Sequence, residues 1–287
     1  MICTWARRAP ALFCLLLLAA VRPAGAAAAD RADTTGSAPA WIEGRGENEI
    51  VLIHGLGANA SIWDDLYPFL SGSFRVYRYE LHGHGSTAPL PHATVAAEVA
   101  ALREWIVAQD LVYPTLVGHG LGGMIAMQYT FDHPADVQRL IMIDAGPRQL
   151  ADQQQKVEVA TRLVEEYDRF VASQFINLSP LPEVNERAVD MALRTDSTTF
   201  ASLLLSSFDW DLTEELPRQS VPMLVIGSQF YLPEEGSERQ YLEQYGFGAA
   251  RVLNFKRIAQ TGHYLMLEKP AYLASVIAVW VRQEELE

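Results

Sequence analysis

Leu116-Val117-Gly118-His119-Gly120-Leu121-Gly122-Gly123-Met124 follows Thr115 in a short apolar run and is crowded with glycine. Small residues at such a junction let a chain leave a buried strand sharply and expose backbone N–H groups. Two more junctions have the same character. Ile50-Val51-Leu52-Ile53 runs into His54-Gly55-Leu56-Gly57, and near the carboxyl terminus Thr261-Gly262-His263-Tyr264 precedes Leu265-Met266-Leu267-Glu268-Lys269-Pro270. In open parallel sheets the working residues gather where strands end, so these three turns are the first places to look for chemistry.

Outward from them, apolar runs of strand length occur at Ile50 to Ile53, Phe74 to Leu81, Thr115 to Val117, Leu140 to Ile143, Met223 to Ile226 and Val252 to Phe255. Helix-like stretches separate most of them. In Thr94 to Ala108, for example, Val95, Val99, Leu102 and Ile106 recur at helical spacing. Strand alternating with helix predicts an α/β class with a doubly wound, mostly parallel sheet. From Gln149 to Pro217 the rhythm breaks. That interval is rich in Gln, Glu and Arg, with helical patches at Val157 to Phe170 and Glu183 to Leu193, and it reads as a helical cap inserted above the strand ends. Phe175, Ile176, Leu178, Leu204 and Phe208 are its expected pocket-lining residues, suited to an apolar acyl or aromatic group.

At these residues the chain resembles the α/β-hydrolase superfamily, over essentially everything from Trp41 onward. His54-Gly55 is similar to the family's oxyanion loop, and Leu81-His82-Gly83-His84-Gly85-Ser86 resembles its next loop, with Glu80 where Asp is usual. Phe208-Asp209-Trp210-Asp211-Leu212 before Val221-Pro222-Met223 is similar to the family's lead-in to a late strand. The resemblance implies a nucleophile elbow G-x-S-x-G, a strand-to-helix turn that holds a Ser hydroxyl at a helix N-terminus. Here the turn reads Gly118-His119-Gly120-Leu121-Gly122, so the nucleophile position is Gly120 and carries no side chain. His263 stands where the family keeps its general base. The usual acid position after Met223 to Ile226 offers Phe230; Asp144, at the end of Ile141-Met142-Ile143, is preferred because a strand-end position is rigid. Glu234 and Glu235 are the alternative acids. The oxyanion hole would be the backbone N–H groups of Leu56 and Leu121, which survive any side-chain change.

Three readings follow. The chain is a serine-esterase-lineage protein deficient in nucleophilic ester hydrolysis, serving as a small-molecule binder. Alternatively, a His263–Asp144 dyad activates water or abstracts a proton, which needs a base and an oxyanion site but no serine. In the third, Gly120 is an introduced change in an ordinary carboxylic-ester hydrolase. In each, the expected partner is a small ester-like or apolar acyl molecule, and no cofactor is expected. His82 and His84 form a His-x-His pair, but without a third ligand at suitable spacing no metal is expected there. His54 and His119 read as loop-packing residues. Met124, Met127, Met191 and Met266 read as core or pocket lining. Asn59-Ala60-Ser61 and Asn177-Leu178-Ser179 match the glycosylation pattern but are not expected to be functional.

Composition bounds the rest. The chain has 287 residues, with 22 Lys+Arg against 35 Asp+Glu and a net charge of −13. Arg7 and Arg8, the apolar run Ala11 to Val21 and Ala24-Gly25-Ala26 predict a cleaved signal peptide over 1–26, followed by a disordered linker over 27–40 and the hydrolase domain over 41–287. Export would make the protein secreted or periplasmic. Cleavage would remove Arg7, Arg8 and Arg22, moving the net charge from −13 to −16. Such acidity opposes nucleic-acid binding. Cys3 and Cys14 both fall in the leader, so the mature chain would lack thiols for disulfides or catalysis. The apolar run is well short of the roughly 20 residues that span a bilayer, so no membrane span is expected in the mature chain.

Overall fold

The computed structural model describes residues 41–231 and 237–282. The expected leader 1–26 and linker 27–40 lie outside these residues, as do Glu234 and Glu235. The strands are β1 (Trp41–Glu43), β2 (Glu49–Ile53), β3 (Arg75–Tyr79), β4 (Thr115–His119), β5 (Arg139–Ile143), β6 (Arg148–Leu150), β7 (Asp209–Asp211), β8 (Met223–Ser228) and β9 (Leu253–Ile258). The helices are α1 (Tyr67–Ser71), α2 (Val95–Ala108), α3 (Leu121–Asp132), α4 (Gln153–Glu165), α5 (Tyr167–Phe175), α6 (Pro182–Arg194), α7 (Ser197–Ser207), α8 (Glu238–Gln244), α9 (Leu265–Glu268) and α10 (Pro270–Arg282).

Seven strands form one sheet in the order β1-β3-β2-β4-β5-β8-β9, parallel throughout except for β1, which pairs antiparallel with β3. The α/β class with a doubly wound, mostly parallel sheet is therefore observed. Its cause is visible in β2. Ile50 and Leu52 point into the core beneath α1 and α10, while Val51 and Ile53 point into the core beneath α2 and α3. Side chains alternate across a strand, so a sheet covered on both faces needs an uninterrupted apolar run. All four of these residues are fully buried, each contributing about 1.5–3 kcal/mol of transfer free energy. The helices between strands have readable starts. At α2, for instance, the Thr94 side chain accepts the Ala97 N–H.

The interval between β5 and β8 holds α4 to α7, bracketed by β6 and β7, which pair antiparallel as a separate two-stranded sheet. The helix expected over Val157 to Phe170 is two helices. The backbone turns at Glu166 (φ −145°, ψ 46°) between α4 and α5, a break with no proline or glycine to announce it. Helix α7, absent from the sequence reading, starts at an Asp196 cap whose side chain accepts the Thr199 N–H. Phe208-Asp209-Trp210-Asp211-Leu212 supplies β7, whose partner β6 was not foreseen because three-residue strands carry too little periodicity to register.

Candidate active site

The turn after β4 is built on close backbone contact. A Cβ on Gly118 would stand 2.3 Å from the Gly122 carbonyl oxygen, and one on Gly122 would stand 2.4 Å from the carbonyls of Ile53 and His54. Only glycine lets the start of α3 lie directly on β4 and β2. Gly120, between them, has φ +51° and ψ −118° and caps α3, and its N–H donates to the Ile143 carbonyl at 3.0 Å. A Cβ built there meets nothing nearer than His263 Nε2 at 3.6 Å and Gly55 Cα at 3.9 Å. The turn therefore faces His263 across a gap that a Cβ would enter in ordinary contact, and presents no side chain of its own.

Asp144 leaves the end of β5 at φ +45°, a left-handed conformation that Asp adopts more readily than most residues. Its N–H donates to the Ile226 carbonyl at 2.9 Å. The carboxylate is fully buried and accepts three hydrogen bonds: Ser228 N–H to Oδ1 at 2.6 Å, Ser228 O–H to Oδ2 at 2.6 Å, and His263 Nδ1 to Oδ2 at 3.0 Å. A buried carboxylate needs such donors to offset its lost hydration. Because a carboxylate only accepts, this bond assigns the His263 proton to Nδ1 and leaves the Nε2 lone pair toward Gly120.

His263 is held from both sides. Its N–H donates to the Leu178 carbonyl at 2.6 Å, and its own carbonyl accepts from His119 Nε2 at 2.9 Å. The His119 and His263 rings stand 4.3 Å apart between centroids. Burial drives the His119 pKa well below the ordinary imidazole value, assisted by the neighbouring His263, so His119 stays neutral and serves as a strut. Neither this tie nor those of Ser228 and Leu178 was anticipated. Ser228 stands two residues past the expected strand Met223 to Ile226, which was the one available signal.

A cavity of about 620 Å³ opens over this group, lined by Leu56, Gly120, Leu121, Asp144 and His263 among others. The N–H groups of Leu56 and Leu121 have no hydrogen-bond partner among the described residues. That of Leu121 opens α3, where the helix dipole favours negative charge. The cap contributes Phe175, Leu178 and Leu204 to the lining, as expected, together with Phe200. Ile176 and Phe208 do not belong to it. Ile176 follows the end of α5 and faces solvent, and Phe208 lies in the core behind α7. Phe230 lines the cavity with its ring centroid 6.3 Å from that of His263. Met124 lines it too, while Met127, Met191 and Met266 are buried.

Three other buried histidines, His54, His82 and His84, tie neighbouring segments together by hydrogen bonds and contacts. His54 Nε2 accepts the Leu81 N–H at 3.0 Å, and burial lowers its pKa to about 4. His84 Nε2 accepts the Gly57 N–H at 3.2 Å, and burial with the adjacent His54 lowers its pKa to about 3. His82 Nδ1 contacts Glu98 at 3.3 Å, while the buried Glu80 accepts from Ala60 N–H and from Ser86 and Thr87. These bonds tie the loop after β3 to the loop after β2, which carries Leu56. Asn59 caps a short 3₁₀ turn by accepting the Ser61 N–H, and Asn177 lies in the cavity wall.

The family profile described as alpha/beta hydrolase matches residues 50–276. The chain belongs to the alpha/beta hydrolase family. An uncharacterized protein of Mycobacterium bovis is 40% identical over 98 residues, 34% of this chain and 29% of that protein, so the chain spans under a third of that relative's length. A strigolactone esterase of Pisum sativum is 25% identical over 261 residues, covering 84% of this chain and 96% of the relative. Among solved structures, a thermophilic esterase of Thermogutta terrifontis superposes with a TM-score of 0.75 at 24% identity, covering 85% of this chain and 93% of the other, a likeness of fold. Within this alpha/beta hydrolase, the described cavity lies at the carboxyl ends of β4 and β5, where such sheets bind their ligands.

Proposed function

We propose that this alpha/beta hydrolase derives from serine esterases, that Gly120 holds the position of their nucleophile, and that the protein binds a small ester-like or apolar acyl molecule without forming an acyl-enzyme. The observation that carries this reading is the side-chain-free turn at Gly120 facing a His263 bonded to Asp144. Among the described residues, no serine or threonine hydroxyl in the cavity wall replaces the missing one. The serines lining the cavity, Ser173 and Ser207, donate to the helix carbonyls of Phe170 and Leu204, and Ser86 bonds Glu80 outside the cavity wall. A site with base, acid and oxyanion donors but no nucleophile loses the first step of two-step ester hydrolysis. The mixed wall, with Phe175, Phe200 and Leu204 alongside the polar Gln149 and Asn177, suits a ligand with both apolar and polar groups. The leader-like residues 1–26 support export, so the proposed location is secreted or periplasmic.

The test is Gly120→Ser. The space beside Gly120 admits a Cβ in ordinary contact, and the positive φ costs about 1–3 kcal/mol in a non-glycine residue. Wild type is expected to resist a fluorophosphonate probe, while Gly120→Ser takes the label and gains several orders of magnitude in nitrophenyl-ester turnover. Labelling of wild type at any serine would overturn the reading.

A further inference from the structure

We propose that the cavity hydrolyses its ester by single displacement, with a water beside Gly120 as nucleophile and His263 as its general base. The inference rests on the reading that no acyl-enzyme forms. The nearest group to a Cβ at Gly120 is His263 Nε2 at 3.6 Å, and Gly120, Leu56, Leu121 and His263 all border the cavity. A free water stands off a Cα carbon by about 3.3–3.6 Å, farther than a bonded hydroxyl would. It therefore sits toward the cavity, on the Nε2 side of His263. Asp144 holds the ring proton on Nδ1 at 3.0 Å, so Nε2 accepts.

In the reaction the water oxygen bonds to the ester carbonyl carbon as Nε2 takes one of its protons. The carbonyl π pair moves to oxygen, where the N–H groups of Leu56 and Leu121 receive the charge. The intermediate then collapses, the carbon–alkoxy bond breaks, and His263 returns its proton to the departing alkoxide. One water and one ester give one acid and one alcohol, with His263 neutral again. An oxyanion hole with binding supplies roughly 10³–10⁴-fold over water, and a placed general base about 10²–10⁴-fold more.

Purified full-length protein with nitrophenyl butyrate decides the matter. Wild type is expected to release nitrophenol without a burst. His263→Ala should lower the rate on the order of 10²-fold, and Gly120→Ala, whose methyl takes the water's place, should lower it comparably while Gly120→Ser raises it. If Gly120→Ala does not fold by thermal melting, the His263→Ala rate and the presence or absence of a burst decide. Absence of His263-dependent turnover, with no fluorophosphonate labelling, sinks the single displacement alone; a burst or labelling of wild type sinks the Gly120 reading as well.

Discussion

Asp144 and Ser228 show how one side chain prepares another. The Asp144 carboxylate orients His263, and its two bonds from Ser228 keep it buried and aimed. In the Gly120→Ser background, Asp144→Asn should remove most of the recovered esterase activity. A neutral amide can present its own N–H to Nδ1 and fix the wrong tautomer, the kind of change that costs about 10⁴-fold in a serine triad. Ser228→Ala deletes the hydroxyl's bond to Asp144 and its acceptance of the Tyr231 N–H at 3.0 Å, and leaves the bond from the Ser228 N–H to Asp144. It should lower stability by about 1.5–3 kcal/mol, the usual worth of a hydrogen bond to a charged group, with a smaller loss of activity. Nitrophenyl-ester kinetics beside chemical denaturation separates the two. Asp144 was readable as the rigid candidate at a strand end. Ser228 was not, because its function exists only where β8 lies beside β5.

Between elements, the cap reaches His263 through its own backbone. Asn185 on α6 accepts the N–H groups of Leu178 and Ser179 with Oδ1, at 3.0 and 2.8 Å, and returns a bond to the Ser179 carbonyl at 2.8 Å. That clasp fixes the Leu178 carbonyl, which accepts the His263 N–H at 2.6 Å. Asn185→Ala should therefore destabilise by about 1–3 kcal/mol through unmet polar groups. It should also lower kcat of Gly120→Ser more than it raises KM, since it loosens His263 while Phe175, Phe200 and Leu204 keep their places in the apolar wall. An unchanged kcat would show that the cap holds the ligand only. The sequence made the cap visible as an interruption of the strand–helix rhythm, but its grip on His263 depends on a turn geometry that no periodicity encodes.

Across the molecule, three buried histidines make stability depend on pH. His54, His84 and His119 are held neutral with pKa values below the ordinary 6.5, the first two at about 4 and about 3. The unfolded chain takes up protons near pH 6.5 while the folded protein does not, so stability is full above that value and declines as pH falls toward 4 and 3. Melting temperature should drop steadily from pH 7 to pH 4. In His84→Gln, whose side chain can still meet the Gly57 N–H but cannot titrate, the decline should be shallower. An equal slope in both would assign the acid sensitivity elsewhere.

The sequence by itself determined the class of fold, because runs such as Ile50 to Ile53 are apolar at every position and only a sheet covered on both faces buries them all. It also determined that the turn at Gly120 bears no side chain, a fact of composition that no packing alters. Tertiary structure decided which groups meet. Asp144 and His263 are 119 positions apart, and His119 and His263 are 144 apart, so their contacts arise only from strand order β4-β5-β8-β9 and from the cap laid over it. Local propensity acts over a few residues, and hydrogen bonds of this reach are set by how the sheet is wound.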